Sequence, residues 1–434
     1  MNIKKAVAYI LCTTFIFVSC NRDEIAEETT QQQPIVEYVE STEPEEIIKE
    51  EIIFAGSTHE TDGMRRIIRD YNSQSKYYEV VMHELGMNSE TSFHQIVQDS
   101  KEVNAKYDIV EIDLSRVAEF ADSGFSMPLD DFIQRDGIDL SEYLPSAIKS
   151  VMYTDRVLAM PLTVSIGMMY FRTDIISAPP KDWDELLRLS TQLKGRENTE
   201  NGYILAGRYS GNLVLQALEI IHSYGGQLMD IDGNVSIDVE NTRRGLEKLS
   251  DIYNSDVVQK RLYMMNNLDV GEIFAEGKSV FMRNEPYMRE LINKSALVRS
   301  NYAIAPLPRG SEDSEIILSG RAVVMNADSE NVEGAWDFIK YLSGYEGQKA
   351  LAVHGGEIPS LLPVLQDFDV LVVSNYFATN SFLNAIESAQ PKYITPNYVK
   401  RMEIFEDILA SYIQGEITVE TALANLEIGM NTIR

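Results

Sequence analysis

YDIVEIDLSRVAEFADSGFSMPLDDFI (107–133) and VLAMPLTVSIGMMYFRTDII (157–176) decide the fold. Residues 107–112 form a short apolar run that reads as a strand and ends in Asp113, and 157–161 and 168–171 read as two more around a proline. Working outward, 52–55 and 78–83 have the same character. Stretches with apolar residues at helical spacing occupy 62–74, 183–193, 213–224, 239–253, 332–342, 346–353 and 401–414. Short apolar strands alternating with amphipathic helices make the pattern of an α/β protein.

The 434 residues carry 38 Lys and Arg against 67 Asp and Glu, a formal net charge of −29. So acidic a chain lacks the cations that displace counterions from nucleic acid phosphates or dock on anionic lipid, which argues against both as electrostatic partners. Its length allows two or three domains, and 44% hydrophobic residues suffice for buried cores.

MNIKKAVAYILCTTFIFVSC (1–20) has Lys4 and Lys5, an uncharged apolar run over 6–18, and Ser19-Cys20 at its end, the layout of a secretory signal peptide. The run is too short for a spanning helix. It resembles a bacterial lipoprotein signal, which implies removal of 1–19 and a lipid on Cys20, with Phe17 standing where most such motifs have Leu. Cys12 and Cys20 are the two cysteines, so the body has no disulfide framework, thiolate metal site or cysteine nucleophile. Residues 21–51 hold eleven acidic residues against Arg22 and Lys49. The stretch 20–51 therefore reads as a solvated, self-repelling tether that holds the body off a membrane.

Six stretches, the two quoted above with PPKDWDELLRLSTQL (179–193), EIFAEGKSVFMRNEPY (272–287), YAIAPLPRG (302–310) and EGAWDFIKYLSGYEGQKAL (333–351), occur in the order seen in family 1 extracellular solute-binding proteins. The chain resembles these ligand-capturing proteins of ABC importers, including the maltose- and trehalose-binding proteins, over nearly all of 52–434. The resemblance implies a two-lobe type II periplasmic-binding fold. One lobe would be 52–163 plus 321–362, the other 168–318 plus 370–434, with hinge crossings at 164–167, 319–320 and 363–369. It further implies a monomer without cofactor or metal that holds a sugar or polyol between the lobes and delivers it to membrane permease subunits.

Carried over residue by residue, the resemblance places the ligand near Ser57, Thr58, His59 and Glu60 after the first strand, although Ser57 or Thr58 could equally cap the following helix. Asp113 matches an acidic or polar sugar contact, or is a turn residue, and Arg116 follows it. Ser165 lies on the first crossing where sugar-binding relatives commonly carry an acid. Tyr209, Ser210 and Asn212 resemble a cleft loop, as do Glu285 and Tyr287, and Arg321 sits on a Gly-rich crossing. Trp183 and Trp336 lie in helices at core spacing, so a ring platform falls to tyrosines or phenylalanines, among them Tyr398 and Phe405.

Serine replaces acids at 165 and 210 while arginines stand at 116 and 321. This admits a second reading, an anionic or phosphorylated polyol such as a glycerophosphodiester. A third is a surface adhesin or structural lipoprotein on the same scaffold. No P-loop, GxSxG, HExxH or EF-hand pattern appears, and the five histidines lack metal-ligand spacing, so the sequence does not point to an enzyme.

Overall fold

The computed structural model describes residues 48–57, 63–85, 96, 107–208, 211–230, 233–259, 262–311 and 315–433. The helices form where capping and amphipathic spacing coincide. Helix Trp183–Leu193 starts at Asp182, whose carboxylate accepts the Glu185 N–H at 2.7 Å. Helix Val239–Tyr253 starts at Asp238, which accepts from Asn241 at 3.0 Å. Such caps satisfy amide donors that the first helical turn leaves open. Among the described residues no helix is long and apolar enough to cross a membrane.

Two sheets organise the described residues. In the first, β1 (Glu50–Ser57) lies between β2 (Tyr78–Leu85) and β3 (Ile109–Asp113), all parallel. On the far side of β3 runs β11 (Ile317–Met325), antiparallel to β3 and to β6 (Met160–Ser165). Strand β12 (Ile358–Pro359) closes that edge on β6, and β13 (Gln390–Pro391) pairs in parallel with the start of β11. The second sheet has the order β10 (Tyr302–Pro306), β7 (Met168–Arg172), β9 (Ser279–Asn284) and β8 (Asn201–Ile204). A small hairpin pairs β4 (Met152–Tyr153) with β5 (Arg156–Val157).

Strand β7 shows how the cores divide. Its side chains alternate across the sheet. Met168 and Tyr170 enter a core with Phe274 and Met282 that continues into the first sheet through Val164 and Val323 and on to Phe338 of helix Val332–Ser343. Met169 and Phe171 enter a second core with Trp183, Leu218, Phe281 and Phe405. Trp183 and Trp336 are both fully buried, as their helical spacing predicts.

Some boundaries differ from those read in the sequence. Strand β1 begins at Glu50, inside the stretch 20–51 taken as tether, because Glu50 and Glu51 pair with Tyr78 and Glu79. Residues 166–167 connect the two sheets, between β6 and β7, within the stretch 164–167. The second connection runs from Pro306 to Ile317, so residues 319–320 already lie within β11. Residues 363–365 and 368–369 fall in helices Leu362–Leu365 and Phe368–Val373, whose Val364, Leu365 and Val370 join the first core. Beyond them the chain returns to the second core with Tyr393, which packs against it, and with Tyr398, Met402 and Phe405.

Phe338 is fully buried and packs edge-on against Phe54 at 5.6 Å and Tyr71 at 5.0 Å between ring centroids. Phe338→Ala should lower unfolding free energy by about 3–5 kcal/mol, the cost of a cavity at a fully packed phenyl ring. Urea denaturation followed by tryptophan fluorescence measures it.

Candidate functional site

Asp113 ends β3 and pairs in register with Arg321 of β11. Its Oδ1 accepts the Ser115 N–H at 2.8 Å and the Ser115 hydroxyl at 2.5 Å, and lies 3.6 Å from the Lys392 ammonium. Burial opposes the Asp113 charge, but Lys392, Ser115 and Arg116 outweigh it and hold the carboxyl below its ordinary range. Lys392 follows β13, which is pinned to β11, so this ion pair joins two segments distant in sequence.

Asp113, Arg116, Asn212 and Tyr398 line one cavity of about 390 Å³, together with Lys392, Met402 and Glu406. Asn212 opens helix Asn212–Ser223 and Tyr398 opens helix Tyr398–Ile413, so three separate elements bring their first-turn or strand-end residues to one place. Glu406 accepts the Gly211 N–H at 3.3 Å and so ties these two helices together. A larger cavity of about 700 Å³ lies against Gly167, Glu219, Arg309 and Ser388. None of the residues singled out in the sequence lines it, so the smaller cavity is the candidate site despite its size.

A second group adjoins the first through Arg321. The Ser165 hydroxyl donates to Glu285 Oε2 at 3.2 Å across the connection between the sheets. Arg283 lies 3.9 Å from Glu285 and donates to Glu219 through Nε at 3.0 Å and through a second guanidinium nitrogen. Burial raises the Glu219 carboxyl above its usual range, with Arg283 acting against it. Tyr287 takes a hydrogen bond from Asn267 Nδ2 at 3.4 Å.

Arg116 and Arg321 both stand beside carboxylates. Arg321 Nε lies 3.4 Å from the buried Glu111, and its Nη2 lies 2.6 Å from Glu357. Burial works against the Arg321 charge, and Glu357 and Glu111 more than offset it, holding the guanidinium above its ordinary value. Arg116 is buried with Nε 2.8 Å from Glu119.

Phe405 is not a ring platform. It lies seven residues after Tyr398 on the same helical stripe, about 10 Å further along the axis, and is fully buried in the second core. Tyr170 is likewise a core residue, its hydroxyl donating to the Glu285 carbonyl at 2.8 Å. Ser57 ends β1, and its side chain lies outside the described residues, as do Thr58, His59, Glu60, Tyr209, Ser210 and Cys20. Lys392, Glu111, Glu357 and Glu406 escaped sequence reasoning. For Glu406 a signal existed, since it follows Tyr398 by eight residues on one helix. Among the described residues no cluster of His, Cys, Asp and Glu could hold a metal ion.

Residues 66–375 match the family described as bacterial extracellular solute-binding protein. A probable ABC transporter-binding protein of Deinococcus radiodurans is 26% identical over 304 residues, 67% of this chain and 72% of that one. A maltotriose-binding protein of Pyrococcus abyssi is 25% identical over 266 residues, covering 58% of this chain and 54% of that one. Among solved structures, maltose-bound MalE3 of T. maritima has a TM-score of 0.79 at 25% identity, over 88% of this chain and 100% of that one. An ABC transporter solute-binding protein of Thermotoga lettingae, bound with α-D-tagatose, has a TM-score of 0.77 at 18% identity, over 89% and 100%. The architecture is thus the two-lobe type II periplasmic-binding fold.

Because the Asp113 carboxyl is held below its ordinary value of 3.8, its contribution to stability is present above that pH and is lost as pH falls through the depressed value. Asp113→Asn should therefore be less stable than the parent protein near neutrality, with the difference shrinking on acidification. Denaturant midpoints measured from neutral to strongly acid pH test this, and a constant difference would remove the electrostatic account.

Proposed function

The chain belongs to the bacterial extracellular solute-binding proteins, which bind ligands rather than transform them, and from that premise we propose that it captures a neutral sugar or polyol and delivers it to an ABC permease. The observation that carries the reading is the single cavity into which Asp113, Asn212 and Tyr398 converge from separate elements. A carboxylate, an amide and a tyrosine ring around one cavity suit a polyhydroxylated ring, whose hydroxyls take the polar groups and whose C–H faces take the aromatic one. The maltotriose-binding relative and the maltose-bound neighbour support the same ligand class.

Ligand contacts to both lobes favour the closed arrangement by the difference in affinity between closed and open forms. In this reading the closed face docks on permease subunits, a separate ATPase supplies the energy, and this chain binds no nucleotide. Glu111, Glu357 and Glu119 beside the two arginines favour a neutral ligand over a phosphorylated one. We also infer that Cys20 carries the lipid that holds the body at the membrane, on the strength of residues 1–20.

Thermal unfolding of the chain, purified in detergent, against sugars, sugar acids and glycerophosphodiesters tests the ligand class. Neutral sugars should raise the midpoint, since ligand at 100 times its dissociation constant adds about 2.7 kcal/mol. A rise with anionic compounds alone would overturn the reading, and no rise with any of them would favour the adhesin alternative. For the anchor, Cys20→Ala should abolish incorporation of labelled palmitate and release the protein from the membrane fraction.

A further inference from the structure

We propose that Lys392 and Asp113 together form a donor–acceptor clamp for a vicinal diol and so determine the specificity of the cleft. This rests on the sugar-capture reading and names the feature of the sugar that is recognised. Lys392 is held in place by its chain neighbours, because Gln390 and Pro391 pair with Ile317 and Leu318 of β11. Its side chain is 12% exposed, and among the described residues its ion-pair partner is Asp113, at 3.6 Å. An ammonium has three N–H donors, so one contact of that length leaves donor capacity beside the cavity that both residues line.

The acceptor half is equally specific. Both Ser115 hydrogen bonds and the Lys392 contact go to Asp113 Oδ1. Among the described residues no hydrogen bond goes to Oδ2, although a carboxylate oxygen accepts two. The site thus offers a fixed acceptor next to a fixed donor. Two hydroxyls on adjacent ring carbons meet that demand, one donating to Asp113 and the other accepting from Lys392. Tyr398, Met402, Val214 and Leu215 supply apolar surface beside the pair for the ring's C–H face. At about 390 Å³ the cavity is at the small end of ligand pockets, which suits a mono- or disaccharide better than a long oligomer.

The test uses isothermal titration of the full chain in detergent with maltose, maltotriose, D-tagatose and ribitol, and the tightest of these is carried to Lys392→Met, Lys392→Arg and Asp113→Asn. Lys392→Met and Asp113→Asn should each weaken binding by roughly 10- to 100-fold, as for loss of hydrogen bonds to a charged group. Lys392→Arg, which keeps a charged donor, should retain most of the affinity. The double variant should lose little more than the worse single one, because the two act as a unit. If Lys392→Met is too unstable to titrate, Asp113→Asn and Lys392→Arg carry the same comparison. Unchanged affinity in Lys392→Met, or in Asp113→Asn where that variant stands alone, overturns the clamp and leaves sugar capture standing. Failure of the parent protein to bind any of the four overturns both.

Discussion

The cleft depends on the register of β11. That strand pairs with β3 on one side, with β6 on the other, and with β13 at its start, so its backbone groups are committed along both edges. Gly320 makes the arrangement feasible. Its φ is +145°, and a Cβ there would lie 2.2 Å from the Thr163 carbonyl, so a side chain would push β11 off β6. The bulge between Arg321 and Ala322 absorbs the change in spacing, and Arg321 lands opposite Asp113. A slip of one residue would turn Arg321 to the other face and carry Glu111, Glu357 and Lys392 out of reach of their partners.

What the sequence made legible follows from this. Helices 183–193 and 239–253 were readable to the residue because an Asp cap and a regular apolar stripe agree at each start. Strands β9 and β11 were not read as strands, since SVFMRN and ILSGRAVVM place Arg, Asn or Gly inside fully or largely buried runs, where apolar alternation is the signal. The two arginines there are paired: Arg283 and Arg321 reach carboxylates on other elements. The strands hardest to read are therefore the ones that bury charged side chains.

The same physics explains which candidate residues the structure brings to one cavity. Asp113 was legible because it ends an apolar strand, and Tyr398 because both tryptophans are core residues and the resemblance puts aromatic contacts in that region. Phe405 satisfied the same composition argument yet belongs to the core, and only depth along the helix separates the two. Lys392 lies in PKYITPNY (391–398), a proline-flanked segment without periodicity, and its role depends on a pairing with β11 that no local pattern encodes.

Charge within the cleft finally bears on what can enter it. Arg321 sits between Glu111 and Glu357, while Arg283 is held by Glu219, so each guanidinium already has the carboxylate that an anionic ligand would have to replace. Displacing either partner would leave a buried or half-buried acid uncompensated, at a cost of several kcal/mol. The Lys392 ammonium has a longer and singly made contact, and among the described residues no hydrogen bond goes to the second oxygen of its carboxylate partner. A neutral hydroxyl can use both without separating them. On the proposed sugar-capture reading, an anionic ligand would have to displace these carboxylates, whereas a neutral one would leave them in place and meet Asp113 and Lys392.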